Sequence, residues 1–227
     1  MKTLYLTRHG ETMFNAQHRI QGWCDSPLTA HGREQARAMG AILRERGVQL
    51  SGAVCSTAER ASDTLELMLD ELGQAGLPYQ RCKDLCEMFY GDLEALQDFL
   101  AENDPEACRT YYLQFGGESS DTVRDRMLGA LTRIMLSEPG DTVLAVGHGG
   151  ANFNFLRAIQ DPMPVLKAGW GNCTTCVYAF DEHKVEGLDA EVELGKQPNA
   201  ATSAGDPAAT ARLAEAWQLV DVLRLQL

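Results

Sequence analysis

The chain has 227 residues, a formal net charge of −12 and 44% hydrophobic residues. That length fits one domain with a short appendage, and the hydrophobic share suffices for a sizeable core. The acidic balance disfavours nucleic acid and anionic membrane surfaces as partners. No apolar run is long enough to span a bilayer, and Met1-Lys2-Thr3-Leu4 lacks the features of a signal peptide, so a cytosolic protein is expected.

In chain order, strands are expected at Thr3 to Thr7, Gly52 to Ser56, Pro78 to Cys82, Thr142 to Gly147 and Cys173 to Phe180. A weaker strand pattern covers Lys184 to Val192. Helical patterns lie between them. Thr29 caps a helix running to about Arg46, with Gly47 as its stop. A second helix starts at Thr57 and reaches Leu72, before Gly73. Two short helices are expected between Leu93 and Leu113, separated at Asp104-Pro105. A long helix runs from Ser119 or Ser120 to Ser137, and a shorter one spans Gly149 to Ile159. Strands alternating with helices predict an α/β fold, a three-layer α/β/α sandwich around a mostly parallel sheet. In such sheets ligands sit beyond the carboxyl ends of the strands.

This organisation is expected over residues 1–193. Residues 194–208 read as a linker rich in small and polar residues. Residues 209–227 read as an amphipathic helix, because Leu213, Trp217, Val220, Leu223 and Leu227 recur at helical spacing. That stripe needs an apolar surface in the same chain or in a second subunit, so a homodimer is one expectation.

Seven cysteines cannot all pair within one chain. Reduced, structural thiols are the plain reading. Cys173 and Cys176 have redox-pair or zinc-pair spacing. In a strand, however, residues three apart face opposite sides, and no second pair completes a metal site.

Two apolar strands end in histidine. Leu4-Tyr5-Leu6-Thr7 runs into Arg8-His9-Gly10-Glu11-Thr12, and Thr142 to Gly147 runs into His148-Gly149-Gly150. Each residue alone has a bland reading. The histidines fit satisfied core positions, the arginines fit salt bridges, and Glu87 fits a solvated loop acid. The ordered set carries more. Asn15, Gln21-Gly22-Trp23, Asp25-Ser26-Pro27-Leu28-Thr29, Cys55-Ser56-Thr57-Ala58-Glu59-Arg60, Leu85-Cys86-Glu87 with Gly91 and Glu94, and Gly117-Glu118-Ser119 lie between the two histidines.

This constellation resembles the histidine phosphatase superfamily, which includes cofactor-dependent phosphoglycerate mutases and many small-molecule phosphatases. The resemblance spans roughly Met1 to Val192. It implies a phosphoglycerate mutase-like fold, a basic pocket at the strand ends, a phosphohistidine intermediate, a small phosphorylated metabolite as substrate, and neither metal nor other cofactor. By resemblance, His9 is the nucleophile, Arg8 and Arg60 bind phosphate oxygens, and His148 contacts the phosphoryl group as a protonated donor. Asn15 and the Gly149 N–H add neutral donors, and Gln21 and Gly22 are candidate substrate contacts. Glu87 matches the general acid, a role that requires it to carry a proton for part of the cycle. Glu11 is read as loop support; His18, His31 and His183 match no catalytic position. The chain departs from the family pattern at Ala95, where glycine is frequent, and at Asp63, where glutamine is common. Only 60 residues separate Glu87 from His148 (148 − 87 − 1). Family mutases carry a longer insertion there, so phosphatase is the favoured activity, with mutase and non-catalytic phospho-ligand binding as alternatives.

Overall fold

The computed structural model describes residues 1–102, 104–187 and 207–225. The sheet contains six strands: β1 Lys2–Arg8, β2 Gly52–Ser56, β3 Tyr79–Cys82, β4 Thr142–Gly147, β5 Thr175–Phe180 and β6 Trp217–Leu223. Their spatial order is β3-β2-β4-β1-β5-β6. The first four in sequence run parallel, and β5 pairs antiparallel with both β1 and β6. The helices are α1 Met13–Ala16, α2 Ala30–Glu45, α3 Glu59–Leu72, α4 Cys108–Tyr111, α5 Ser120–Ser137, α6 Gly149–Ile159, α7 Met163–Lys167 and α8 Pro207–Ala214.

Alternation along the strands divides the core into two layers. Leu4, Leu6, Val143, Ala145, Cys176 and Tyr178 face one side, where Val123, Met127, Leu128, Phe155 and Leu156 of α5 and α6 cover them. Leu144, Val146, Val177 and Cys55 face the other, beneath Ala36, Met39, Leu43, Leu65 and Met68 of α2 and α3. Cys173 belongs to this second layer and Cys176 to the first, so the pair faces apart. All seven cysteines are free.

Local signals set the helix ends. The Thr29 side chain accepts the Gly32 N–H to cap α2, and Ser119 does the same for α5 through Thr122. Helix α3 stops at Gly73, whose φ of +80° suits glycine. Its start differs from expectation by two residues, since Ala58 rather than Thr57 is the N-cap and offers no side-chain acceptor. In the segment after Leu93, 3-10 turns at Asp98–Leu100 and Tyr112–Phe115 flank the single helical turn α4.

The chain end differs more. Residues 209–227 were expected as one helix; instead α8 ends at Ala214 and Trp217–Leu223 form the edge strand β6. The reason is long-range. Strand β5 offers an unpaired edge whose N–H and C=O groups β6 satisfies. Trp217 packs against Phe155, Tyr178 and Phe180 and donates its indole N–H to Thr132 Oγ1 at 3.2 Å. Val220, a member of the supposed stripe, is 53% exposed. The expected strand at Lys184 to Val192 is also corrected, because Glu182–Val185 form a 3-10 turn; residues 188–192 lie outside the described residues. The linker expected at 194–208 does so too, except for Pro207 and Ala208, which open α8. Among the described residues, no helix is long and apolar enough to cross a membrane.

Candidate active site

Strand register brings the two histidines together. Arg8 lies opposite Gly147 in the parallel β1–β4 pair, so the residues that follow, His9 and His148, leave the sheet at the same edge. The His9 N–H donates to the Gly147 carbonyl at 3.1 Å, and the two imidazoles stand 5.2 Å apart, centroid to centroid. Both are buried.

His9 Nδ1 lies 2.7 Å from the Gly10 carbonyl oxygen. A carbonyl only accepts, so Nδ1 carries the proton and Nε2 keeps its lone pair. Burial, then the charges of Arg60 and Arg8, push the His9 pKa well below that of a free imidazole. The ring is therefore neutral at pH 7. His148 behaves alike, for burial and the Arg60 charge hold it well below the ordinary value. A neutral imidazole still offers one N–H.

Arg60 sits in the first turn of α3 and is fully buried. It donates to the carbonyls of Gly22 (2.7 Å) and Cys24 (3.0 Å) and to Asp25 Oδ1 (2.8 Å). Arg8 donates to the Trp170 carbonyl at 2.8 Å. Among the described residues, the buried polar atoms without a hydrogen-bond partner include Arg8 Nε, Arg60 Nε and both ring nitrogens of His148. An unpaired buried donor is costly, so their occurrence on three site residues is a functional signal.

Glu87 is also buried and is held at the N-terminus of α6. Its Oε2 accepts the Gly150 N–H at 2.8 Å; Oε1 accepts those of Ala151 and Met88, each at 2.7 Å. The first turn of α6 thus supplies N–H donors that hold the Glu87 side chain in place. Glycine is needed at 150, because a Cβ would lie 2.8 Å from Glu87 Oε1 and 3.1 Å from the Tyr90 hydroxyl. At Gly149 a Cβ would stand 3.3 Å from Arg8 Nε. Five predicted residues, Arg8, His9, Glu87, His148 and Gly149, are thus brought to one sheet edge, with Arg60 acting electrostatically on both histidines.

The remaining predicted contacts also make hydrogen bonds within the protein. Asn15 Oδ1 closes a capping box with Thr12 and accepts from Asn172 at 3.3 Å. Gln21 is engaged at both ends, accepting from Thr12 Oγ1 at 2.6 Å and donating to Ser26 at 3.1 Å. The Gly22 N–H donates to Glu94 at 3.2 Å. Through these bonds Gln21 and Gly22 brace the loop. Glu11 accepts from Thr29 Oγ1 at 2.6 Å, as loop support requires.

Several supporting roles are not legible in the sequence, even where the residue is part of a motif. Glu94 accepts backbone N–H bonds from Gly22, Trp23, Cys24 and Tyr90, and so ties two loops together. The next residue, Ala95, has φ of +64°, which explains why glycine suits that position. Arg126 donates to the carbonyls of Asp84, Cys86 and Glu87 and to the Glu118 carboxylate, clamping the loop that presents Glu87. Asn172 donates to the His9 carbonyl at 3.0 Å. The only available signals were Glu94 within an acidic loop and Glu118 before a helix; neither names its partners. No group of three or more His, Cys, Asp or Glu suited to a metal ion occurs among the described residues.

Comparison with known proteins agrees with this geometry. Residues 4–190 match the family model described as histidine phosphatase superfamily (branch 1). A 2,3-bisphosphoglycerate-dependent phosphoglycerate mutase of Bradyrhizobium sp. (strain ORS 278) is 35% identical over 167 residues, covering 70% of this chain and 79% of that enzyme. The crystal structure of phosphoglycerate mutase from Bacillus anthracis superposes with a TM-score of 0.68 at 25% identity, covering 78% of this chain and 87% of the other. A mycobacterial glucosyl-3-phosphoglycerate phosphatase, solved with VO3, gives a TM-score of 0.65 at 27% identity over 80% and 94% of the two chains. The match over residues 4–190 agrees with the pairing of two strand-end histidines beside Arg8 and Arg60, and the chain belongs to the histidine phosphatase superfamily, branch 1.

Proposed function

We propose that this chain is a cytosolic phosphatase that hydrolyses small-molecule phosphate monoesters through a phosphohistidine on His9. The observation that carries this reading is the Nδ1–H bond from His9 to the Gly10 carbonyl. It leaves Nε2 unprotonated beside Arg8, Arg60 and His148. Nε2 attacks phosphorus as the bond to the leaving oxygen breaks. The guanidinium groups of Arg8 and Arg60 offset the negative charge of the dianion and of the transferring group. His148, Asn15 and the Gly149 N–H meet the equatorial oxygens. Glu87 delivers its proton to the leaving alkoxide, then takes one from the water that attacks phosphohistidine. Oε2, with one N–H partner against two on Oε1, is the oxygen suited to carry that proton.

The short span between Glu87 and His148 favours hydrolysis, since a smaller cover admits water to the intermediate. The names of the curated relatives favour a mutase as the second reading. The two separate in one assay. With 3-phosphoglycerate and a trace of 2,3-bisphosphoglycerate, a mutase forms 2-phosphoglycerate. The phosphatase reading expects none, together with steady phosphate release from p-nitrophenyl phosphate. Fast interconversion with negligible phosphate release overturns it.

A further inference from the structure

The start of α3 lacks a cap of its own. Ala58 has no side-chain acceptor for the first N–H groups, and Asp25, from the Asp25-Ser26-Pro27-Leu28-Thr29 stretch, supplies one from elsewhere in the chain. Its Oδ2 accepts the Glu59 N–H at 2.6 Å. Its Oδ1 accepts from Arg60 Nη1 at 2.8 Å and from the Ser26 N–H at 2.9 Å. One carboxylate thus grips the backbone of one residue of α3 and the guanidinium of the next. Arg60 is also held at its backbone. Its carbonyl accepts the Thr64 hydroxyl at 2.7 Å, and Thr64 Oγ1 accepts the N–H of Gly10, the residue after His9, at 3.0 Å. The aim of the head group is then set by what binds its fork of donors. Nη1 donates to Asp25 and to the Cys24 carbonyl, Nη2 donates to the Gly22 carbonyl, and Nε has no partner. What remains for a phosphate is the Nε–H with the second Nη2 hydrogen, a pair able to bind two oxygens at once.

We propose that Asp25 is a positioning residue for phosphoryl transfer, aiming the Arg60 guanidinium so that its free N–H groups meet the transferring phosphoryl group. The inference deepens the phosphohistidine reading and rests on it. Arg60 is fully buried, and Asp25 is the carboxylate with which its charge pairs. The carbonyls of Gly22 and Cys24 belong to the same loop, which Asp25 fastens to α3. A misaligned donor costs most where geometry is strictest, in the five-coordinate transition state. The loss of Asp25 should therefore fall on kcat and on vanadate affinity more than on KM.

The test uses Asp25→Ala and Asp25→Asn, each alone and combined with Arg60→Ala. The readouts are p-nitrophenyl phosphate turnover and calorimetric vanadate binding, with thermal unfolding to check the fold. Asparagine keeps the size of the side chain but sets an amide NH2 against either Arg60 or the Glu59 N–H. Each Asp25 variant alone should lower kcat about tenfold or more and weaken vanadate by a similar factor, with a smaller change in KM. In the Arg60→Ala background the same substitutions should cause no further loss, because Asp25 acts through Arg60. If Asp25→Ala does not fold, Asp25→Asn supplies the same comparison. Wild-type kcat and vanadate affinity in the folded Asp25 variants overturn the proposal. Equal losses in both backgrounds also overturn it, since they mark a structural role independent of Arg60. Either result leaves the phosphohistidine reading standing. A wild-type chain that neither hydrolyses the ester nor binds vanadate overturns that reading and the proposal with it.

Discussion

Glu87 is fixed by three backbone N–H groups, so Glu87→Gln removes its proton chemistry while keeping its size. For alkyl phosphates kcat should fall on the order of 10²- to 10⁴-fold, the usual worth of a general acid. For p-nitrophenyl phosphate, whose leaving group departs without a proton, the loss should be much smaller. Equal losses on both esters would remove Glu87 from the acid role. The histidines give a second prediction at this scale. His9 and His148 have folded-state pKa values well below 6.5, set first by burial. Above pH 6.5 neither folded nor unfolded imidazole binds a proton, and the stability is fully present. As pH falls below 6.5 the unfolded chain takes up protons that the folded one refuses. Each histidine should then cost up to about 1.4 kcal/mol per pH unit. Urea unfolding between pH 8 and 5 reads this slope, and His148→Gln should make it shallower. An unchanged slope in that variant would mean that His148 is not held neutral. At the residue scale, those histidines were visible because each ends an apolar strand beside glycine. The anchoring of Glu87 was not, since Gly150 and Ala151 lie more than sixty positions away and a donor's sequence does not name its acceptor.

At the scale of elements, the strands and helices of the main fold were legible because periodicity and caps agree there. Thr29, Ser119 and Gly73 mark ends that the structure keeps. The C-terminal segment shows where such reasoning stops. Trp217, Val220 and Leu223 fit a helical stripe, yet the seven-residue segment is too short to fix its period, and the open edge of β5 decides. Substitution separates the two descriptions. Trp217→Ala should destabilise by about 3–5 kcal/mol, as for a large buried aromatic. Val220→Ala should stay within about 0.5 kcal/mol, because the side chain faces water. Comparable losses at both positions in thermal unfolding would restore the stripe. This strand also touches the site indirectly: Arg224, just past β6, donates to the Gly169 carbonyl at 2.9 Å, beside the Trp170 carbonyl that holds Arg8.

For the whole molecule, a net charge of −12 surrounds a site built on buried arginine and imidazole. Anion binding here depends on local geometry rather than on the overall field. The framework of the site was readable from motif order, whereas the clamps at Glu94, Arg126 and Asn172 join distant segments and emerge only in three dimensions. Because the proposed transition state is stabilised by guanidinium and imidazole groups, activity should persist in EDTA, and vanadate should inhibit by adopting the five-coordinate geometry of phosphoryl transfer. Loss on chelation, restored by a divalent ion, would contradict that reading. The central claim is covalent transfer to His9. Brief reaction with a ³²P-labelled monoester, quenched in alkali, should leave label on the wild-type chain that peptide mapping places on His9. The label should be stable to base and lost in acid, and His9→Ala should show neither label nor turnover. Turnover in His9→Ala near the wild-type rate, or acid-stable label elsewhere, would contradict the account.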